Sequence, residues 1–381
     1  MATGLGSPVV PLVNRTSAVS SDPPVVAGTA PGSADSISTA LVLFTSGTTG
    51  LPKPVAISHR VVADRLAYYG KPIDPDALQM VDMMSAPIFH IGGTLGLFVS
   101  LYQGKKLVVL PKFDAGTWLD QVERHRVTQT FVVPTMLRRV LDHPRFASTD
   151  LGSLRSLNYG AAAAPVDVVR RAVDALPDVD FTNTFGQTET LGAYAALGPD
   201  DHRRGDRFGS VGRPLAGVEV RIVDPGTGEP VPEGATGEFW VRAVQNTTSE
   251  WLHTGDTGWR DAEGYLFLSG RISDTINRGG EKFGPVEVED VLRTHPLVAD
   301  VGVVGVADPE LGERVGAVVV ASGPVTPSEL VAHCSRHLST YKVPEFVAFA
   351  DELPVSVLGK LDRTELRARL SASPQIPRPT P

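Results

Sequence analysis

Thr45-Ser46-Gly47-Thr48-Thr49-Gly50-Leu51-Pro52-Lys53 puts four hydroxyl side chains, two glycines and a lysine into nine residues. The stretch directly follows Ala40 to Phe44, a short apolar run that reads as a strand. Glycine lets backbone N–H groups come close to an anion. The hydroxyls of Thr45, Ser46, Thr48 and Thr49 donate further hydrogen bonds, and Lys53 supplies positive charge. That chemistry suits a polyphosphate. No G-x-x-x-x-G-K-[ST] pattern is present, so this is not a Walker A loop. On composition alone, a Ser/Thr/Gly-rich surface turn is an equal reading.

Outward from this loop the hydrophobic pattern alternates. Ser58 reads as the N-cap of a helix carrying Val61, Val62, Leu66 and Tyr69. Leu107 to Leu110 and Thr130 to Val133 read as strands, with an amphipathic helix near Trp118 to His125 between them. This βαβ rhythm predicts a parallel, helix-covered sheet. From about Gly209 the rhythm changes. Val218 to Val223, Glu238 to Arg242 and Tyr265 to Ser269 are short strands split by turn sequences such as Asp224-Pro225-Gly226-Thr227-Gly228. They predict an antiparallel β region. After Arg271 the pattern gives a helix near Val286 to Thr294, strands near Val301 to Val306 and Gly316 to Ala321, and a helix near Pro327 to Leu338. The expected class is α/β. It comprises an irregular arm (1–38), a large domain with a helix-covered sheet and a small β subdomain (39–271), a small mobile α+β domain (272–370) and an irregular tail (371–381).

Composition bounds the function. The 381 residues carry 35 Lys+Arg and 43 Asp+Glu, a formal net charge of −8. An acidic chain is a poor non-specific binder of nucleic acid. The hydrophobic fraction of 42% suffices for a sizeable core, which excludes disorder throughout. One cysteine, Cys334, rules out an internal disulfide framework. No apolar run approaches the roughly 20 residues of a membrane span, and no secretory signal opens the chain. The expectation is a cytoplasmic protein with neither nucleic acid nor membrane as partner.

Further along lie six more stretches. They are Ala86-Pro87-Ile88-Phe89-His90-Ile91-Gly92-Gly93, Asn158-Tyr159-Gly160-Ala161-Ala162-Ala163-Ala164-Pro165, Thr184-Phe185-Gly186-Gln187-Thr188-Glu189, Thr254-Gly255-Asp256 with Gly270-Arg271, Arg278-Gly279-Gly280-Glu281-Lys282 followed by Pro285-Val286-Glu287-Val288-Glu289, and Leu353 to Arg363 around Gly359-Lys360. Taken singly, each has a bland reading. His90 would be a helix-start histidine, Glu189 a solvated carboxylate, Gly279 and Gly280 turn residues, and Lys360 one more surface lysine.

Together with the first loop, and in this order, these stretches resemble the adenylate-forming superfamily of acyl-CoA and aryl-CoA synthetases, adenylation domains and luciferases. The resemblance covers roughly residues 40 to 370. It implies that Thr45, Ser46, Gly47, Thr48, Thr49, Gly50 and Lys53 hold the phosphates of ATP. Gly160, Ala161 and Ala162 would lie along adenine, with Phe185 and Gly186 beside it. Phe185 replaces the family's tyrosine and loses its hydroxyl. Asp256 would hold the ribose hydroxyls, and Arg271 would contact ribose or phosphate. Glu189, with Thr188 beside it and Thr48, would serve Mg²⁺, a hard cation that takes oxygen ligands. Lys360 would be the catalytic lysine, its charge offsetting that developing at the α-phosphorus. Gly279 and Gly280 would approach the thiol of CoA after the small domain rotates about Ser273 or Asp274. His90, Gly92, Tyr159, Asn183 and Gln187 are the pocket candidates. Their polarity favours a small polar or aromatic acid over a long acyl chain.

The implied reaction is adenylation of an acid by ATP with release of pyrophosphate, then transfer to CoA. Alternatives keep the adenylation and change the partner: an amine, a carrier-protein thiol, or nitrite activated for diazotisation in natural-product synthesis. A third reading is a nucleotide-binding subunit without activity. In most relatives the phosphate loop lies far deeper into the chain, so most of the N-terminal subdomain is expected to be missing. A homodimer or a complementing chain would cover the exposed face. The Ala/Gly/Val/Arg/Pro richness hints at a GC-rich bacterial source.

Overall fold

Thr39–Thr45 (β1) and Lys53–Ser58 (β2) pair antiparallel, in register from Leu41↔Ile57 to Thr45↔Lys53. The run Ala40 to Phe44 therefore belongs to a separate hairpin and not to the parallel sheet. Leu43, Val55 and Ile57 turn inward onto Val61 and Leu191. The computed structural model describes residues 37–45, 53–248, 250–355 and 360–372. Helix His59–Tyr68 (α1) starts where the sequence predicts, with the Ser58 hydroxyl accepting from Val61 N at 3.4 Å.

The large sheet is built from Val81–Met84 (β3), Lys106–Val109 (β4), Gln129–Val132 (β5), Ser156–Gly160 (β6), Asp180–Gln187 (β7), Gly192–Leu197 (β8) and Arg213–Pro214 (β9). Its order is β4-β3-β5-β6-β7-β8-β9. The first five of these in space are parallel, whereas β8 and β9 run antiparallel to their neighbours. Helices Ile91–Gln103 (α2), Ala115–His125 (α3), Pro134–Leu141 (α4), Val166–Ala175 (α5) and Pro199–Arg204 (α6) connect the strands. The apolar faces of α3, α4 and α5 supply Trp118, Leu119, Leu137, Val140, Val168 and Val169 to the main core, where they meet Leu157, Tyr159 and Phe181. Burying this much apolar surface is the main stabilising force.

Four antiparallel strands follow: Glu219–Val223 (β10), Gly237–Arg242 (β11), Leu252–Arg260 (β12) and Leu266–Arg271 (β13). The sequence reading missed β12, because Thr254-Gly255-Asp256-Thr257-Gly258 carries two glycines and no apolar alternation.

The last unit is Ile276–Arg278 (β14), Glu281–Phe283 (β15), Pro285–Arg293 (α7), Val298–Asp308 (β16), Gly312–Ala321 (β17), Pro327–Ser335 (α8), Phe346–Phe349 (β18) and Arg363–Ala372 (α9). Strands β16 and β17 are buried on both faces. One face packs Val301, Val303, Val315 and Ala317 against Val288 and Leu330 of α7 and α8. The other packs Val304 and Val318 against Leu366 and Leu370 of α9.

Candidate active site

In a parallel sheet of this kind, ligands bind beyond the carboxyl ends of the strands, near the point where strand order reverses. Here β3 is flanked by β4 and β5, and three of the sequence stretches sit just past such ends. His90 follows β3, Gly160 to Ala162 close β6, and Phe185 to Glu189 close β7 and enter a short 3-10 turn, Thr188–Thr190.

Each turn has a local cause. A Cβ on Gly160 would lie 2.1 Å from Thr184 O, and one on Gly186 would lie 2.0 Å from Gly192 O. Only glycine lets these backbones approach so closely. Ala161 adopts φ 66° and Leu191 φ 46°, left-handed conformations that side chains rarely take, so strain is concentrated beside the candidate site. The Thr190 hydroxyl lies 2.6 Å from Gly192 O and accepts from Gln187 N at 3.1 Å, which fixes the turn bearing Glu189. Thr247 N donates to Glu189 O at 3.0 Å. Phe185 packs edge-on against the buried ring of Tyr194, 5.1 Å between centroids.

Asp256 on β12 stands opposite Arg271 on β13, and Arg271 Nε donates to Asp256 Oδ1 at 2.8 Å. The segment is braced from below. Thr254 Oγ1 donates to Phe239 O at 2.7 Å, and Gly255 N donates to a Glu238 carboxylate oxygen at 3.0 Å. The carboxyl of Asp256 is buried, and that burial raises its pKa despite the opposing fields of Arg271 and Lys360. Pairing with Asp256 raises the pKa of Arg271. The two directions agree on a close pair whose carboxylate gives up much hydration.

Lys360 arrives from the last unit. Its pKa is lowered first by burial and then by Arg271, against the fields of Asp256 and Glu189. By surface area the residue is open to solvent, so the burial influence is moderated by water. The same field reaches His90, whose pKa is lowered by burial and then by Lys360. Charges interact over such a range only when close. Lys360, Glu189, Asp256, Arg271 and His90, drawn from four of the sequence stretches, are therefore linked by fields that meet at Lys360.

The sequence-predicted pocket divides in two. Successive strand residues face opposite sides of a sheet, and in-register partners share a side. Leu157, Tyr159, Phe181 and Asn183 are buried, while Asn158, Thr182 and Thr184 stay partly open. Tyr159 is 0% exposed with its hydroxyl 2.8 Å from His202 Nε2, and Asn183 Nδ2 reaches Ser210 O at 3.5 Å. Their side chains belong to the interior and not to a pocket wall, which corrects the expectation for both. The opposite face lies under α2, where Gly92 stands over the ring of Phe131. Phe131 pairs in register with Asn158, and Asn158 with Thr182. Phe131, Asn158 and Thr182 therefore share the sheet face beneath Gly92, with Thr184 two residues along on the same side. The period-2 parity of β6 would have found them. His90 precedes α2 without capping it through its side chain and lies against the Phe89 ring at 4.6 Å.

Thr45 and Lys53 close the β1–β2 hairpin in register. Ser46, Gly47, Thr48, Thr49 and Gly50 lie outside the described residues. Gly279 and Gly280 take φ 63° and 95° in the two-residue turn between β14 and β15. That turn geometry by itself accounts for both glycines. Among the described residues no group of three or more His, Cys, Asp or Glu forms a metal cage. One carboxylate, Glu189, in a nucleotide-type site is the donor set Mg²⁺ takes when phosphates and water complete its shell.

A family model described as AMP-binding enzyme matches residues 9–249, and a model of the AMP-binding enzyme C-terminal domain matches residues 287–360. The chain belongs to the AMP-binding enzyme family. Its relatives include YngI of Bacillus subtilis (strain 168), whose acyl-CoA synthetase name is provisional. The two are 34% identical over 346 residues, which is 86% of this chain and 62% of YngI. A feruloyl-CoA synthase of an Amycolatopsis species is 35% identical over 347 residues, 86% of this chain and 69% of its own. Among solved structures, the amide bond synthetase McbA of Marinactinospora thermotolerans superimposes with a TM-score of 0.78 at 34% identity. That match covers 87% of this chain and 68% of McbA. The chain thus spans between three fifths and seven tenths of the length of these relatives. Among the described residues no helix is long and apolar enough to cross a membrane.

Proposed function

We propose that this AMP-binding enzyme adenylates a small acid with ATP and then passes the acyl group to CoA. The observation that carries the reading is the electrostatic influence of Glu189, Asp256 and Arg271 on Lys360, four charged groups from three of the sequence stretches. In the first half-reaction a carboxylate oxygen of the acid attacks the α-phosphorus of ATP. The Pα–O–Pβ bond breaks and pyrophosphate leaves. Lys360 is a compact cation suited to offset charge at the attacked phosphorus. Asp256 and Arg271 orient the ribose, and a carboxylate accepts diol hydrogen bonds well. Phe185 with Gly160, Ala161 and Ala162 takes the base. Mg²⁺, held by Glu189 and Thr48, would neutralise phosphate charge when bound. In the second half-reaction the CoA thiol loses its proton and its sulfur attacks the acyl carbon. The C–O bond to phosphate then breaks and AMP leaves. Gly279 and Gly280 stand in the loop that would meet the thiol. We take residues 39–271 and 272–370 as the two bodies that rearrange between the steps, and the cytoplasm as the compartment.

The pocket face under α2, with Phe131, Asn158, Thr182, His90 and Gly92, supports a small aromatic or polar acid. Incubating the purified chain with Mg-ATP, a panel of small aromatic and aliphatic acids, and CoA tests this. The expected result is AMP, pyrophosphate and an acyl-CoA thioester with at least one acid. A second acceptor is favoured by the likeness to McbA, an amide bond synthetase. AMP and pyrophosphate with an amide in place of a thioester, when an amine replaces CoA, would assign that acceptor instead.

A further inference from the structure

Lys360 belongs to the unit that follows Arg271, yet it works on groups of the body before it. Close to the joint at 272–275 the unit already packs on β13, where Gly284 and Pro285 approach Ser269 and Gly270. A contact far from the joint in sequence adds a second point that fixes its orientation. Arg138 on α4 supplies one. Its Nη1 donates to Ala299 O at 2.8 Å, and its Nη2 pairs with the Asp300 carboxylate. The two side chains are 24% and 18% exposed, so the pair is more shielded than a typical surface bridge.

Both ends are mounted on rigid ground. Met136, Leu137 and Val140 anchor α4 in the main core, which leaves Arg138 on its outer side. Asp300 is the third residue of β16, one residue before the buried Val301, and Asp300 Oδ1 accepts from Val301 N at 2.9 Å. That bond holds the carboxylate pointing as it does before Arg138 arrives. A planar guanidinium engaging a carbonyl and a carboxylate together fixes direction as well as distance.

We propose that Arg138 and Asp300 form a clasp that positions Lys360 for adenylation and must open before acceptor transfer. Both are positioning residues, since they act through Lys360. The inference rests on the adenylation reading above. It predicts that breaking the clasp slows the first half-reaction selectively.

The test measures ATP–pyrophosphate exchange and, separately, transfer to CoA from a preformed acyl-adenylate. The proteins compared are wild type, Arg138→Asp, Asp300→Arg and the double charge swap. Each single variant is expected to lose about tenfold in exchange while transfer is unchanged or faster, and the swap is expected to recover most of the exchange. A merely structural role would lower both half-reactions together and would not be rescued. A readout without substrate keeps the two readings apart. Trypsin cutting after Arg271, beside the exposed Ile272, should quicken about tenfold in each single variant and slow again in the swap. Unchanged exchange and unchanged cutting in the single variants would overturn the clasp. Equal loss of both half-reactions would overturn it as well. Wild type inert toward every acid, with cutting that still responds to the swap, would overturn the adenylation reading and leave the clasp standing.

Discussion

Lys360 is open to water by area but sits in the combined field of a guanidinium and two carboxylates. Burial and Arg271 favour its neutral form, so its charge is lost at a pH below the ordinary lysine value of 10.5. As only the protonated amine offsets phosphate charge, the adenylation rate should fall along an alkaline limb below that value. A pH profile of ATP–pyrophosphate exchange checks this, and Lys360→Arg should move the limb to higher pH while lowering the plateau. Asp256→Asn keeps the shape but removes a charged acceptor. It should weaken nucleotide binding by about 1.5–3 kcal/mol, readable by calorimetry with ATP. At this scale Glu189, Asp256, Arg271 and Lys360 each have a bland reading alone, and only the order of the stretches, through its resemblance to the adenylate-forming superfamily, singles them out. Tyr159 and Asn183 turn their side chains to the interior, a matter of strand parity that membership of a stretch does not reveal. One residue along a strand is the difference between core and wall.

Strand ends and turns carry the next level of the argument. Gly186 and Gly284 sit where backbones nearly touch. A Cβ on Gly284 would lie 1.9 Å from Ser269 O, and one on Gly186 would lie 2.0 Å from Gly192 O. Gly186→Ala and Gly284→Ala should each cost about 1–3 kcal/mol, seen as a lowered midpoint in urea. Gly92→Ala is the contrast. Its Cβ would meet the Phe131 ring at 3.6 Å, an ordinary contact. Stability should stay near wild type while the acid panel narrows toward smaller substrates. In the last unit, Glu289 of α7 is buried between Arg363 and Arg293. Burial alone would raise its pKa, but the two guanidiniums bring it below the ordinary value of 4.5. An acid with a lowered native pKa stabilises the fold above its unfolded pKa. That contribution should fade as pH falls through the lowered value. Acid unfolding of wild type but a flatter acid limb in Glu289→Gln would show it. Helix α1 was legible from its period and the Ser58 cap, and helices α3 and α7 from their apolar pattern. Strand β12 was hidden because its sequence is polar and glycine-rich and carries no apolar alternation.

For the whole molecule, the parallel sheet, the antiparallel region and the final α+β unit follow the order in which apolar periodicity changes along the chain. The contact between Arg138 and Asp300 was invisible there. Nothing local marks two charges 162 residues apart as partners. The antiparallel placement of β8 was likewise missed, since it depends on pairing and not on propensity. Long-range features of this sort decide how the last unit delivers Lys360, whereas the residue types decide what it delivers.

The most direct measurement is ATP–pyrophosphate exchange by wild type and Lys360→Ala side by side, over the same panel of acids, with ATP binding measured in parallel. The account predicts acid-dependent exchange by wild type, its loss in Lys360→Ala, and ATP affinity within a few fold between the two. Full exchange by Lys360→Ala, or no exchange by wild type with any acid, would contradict it.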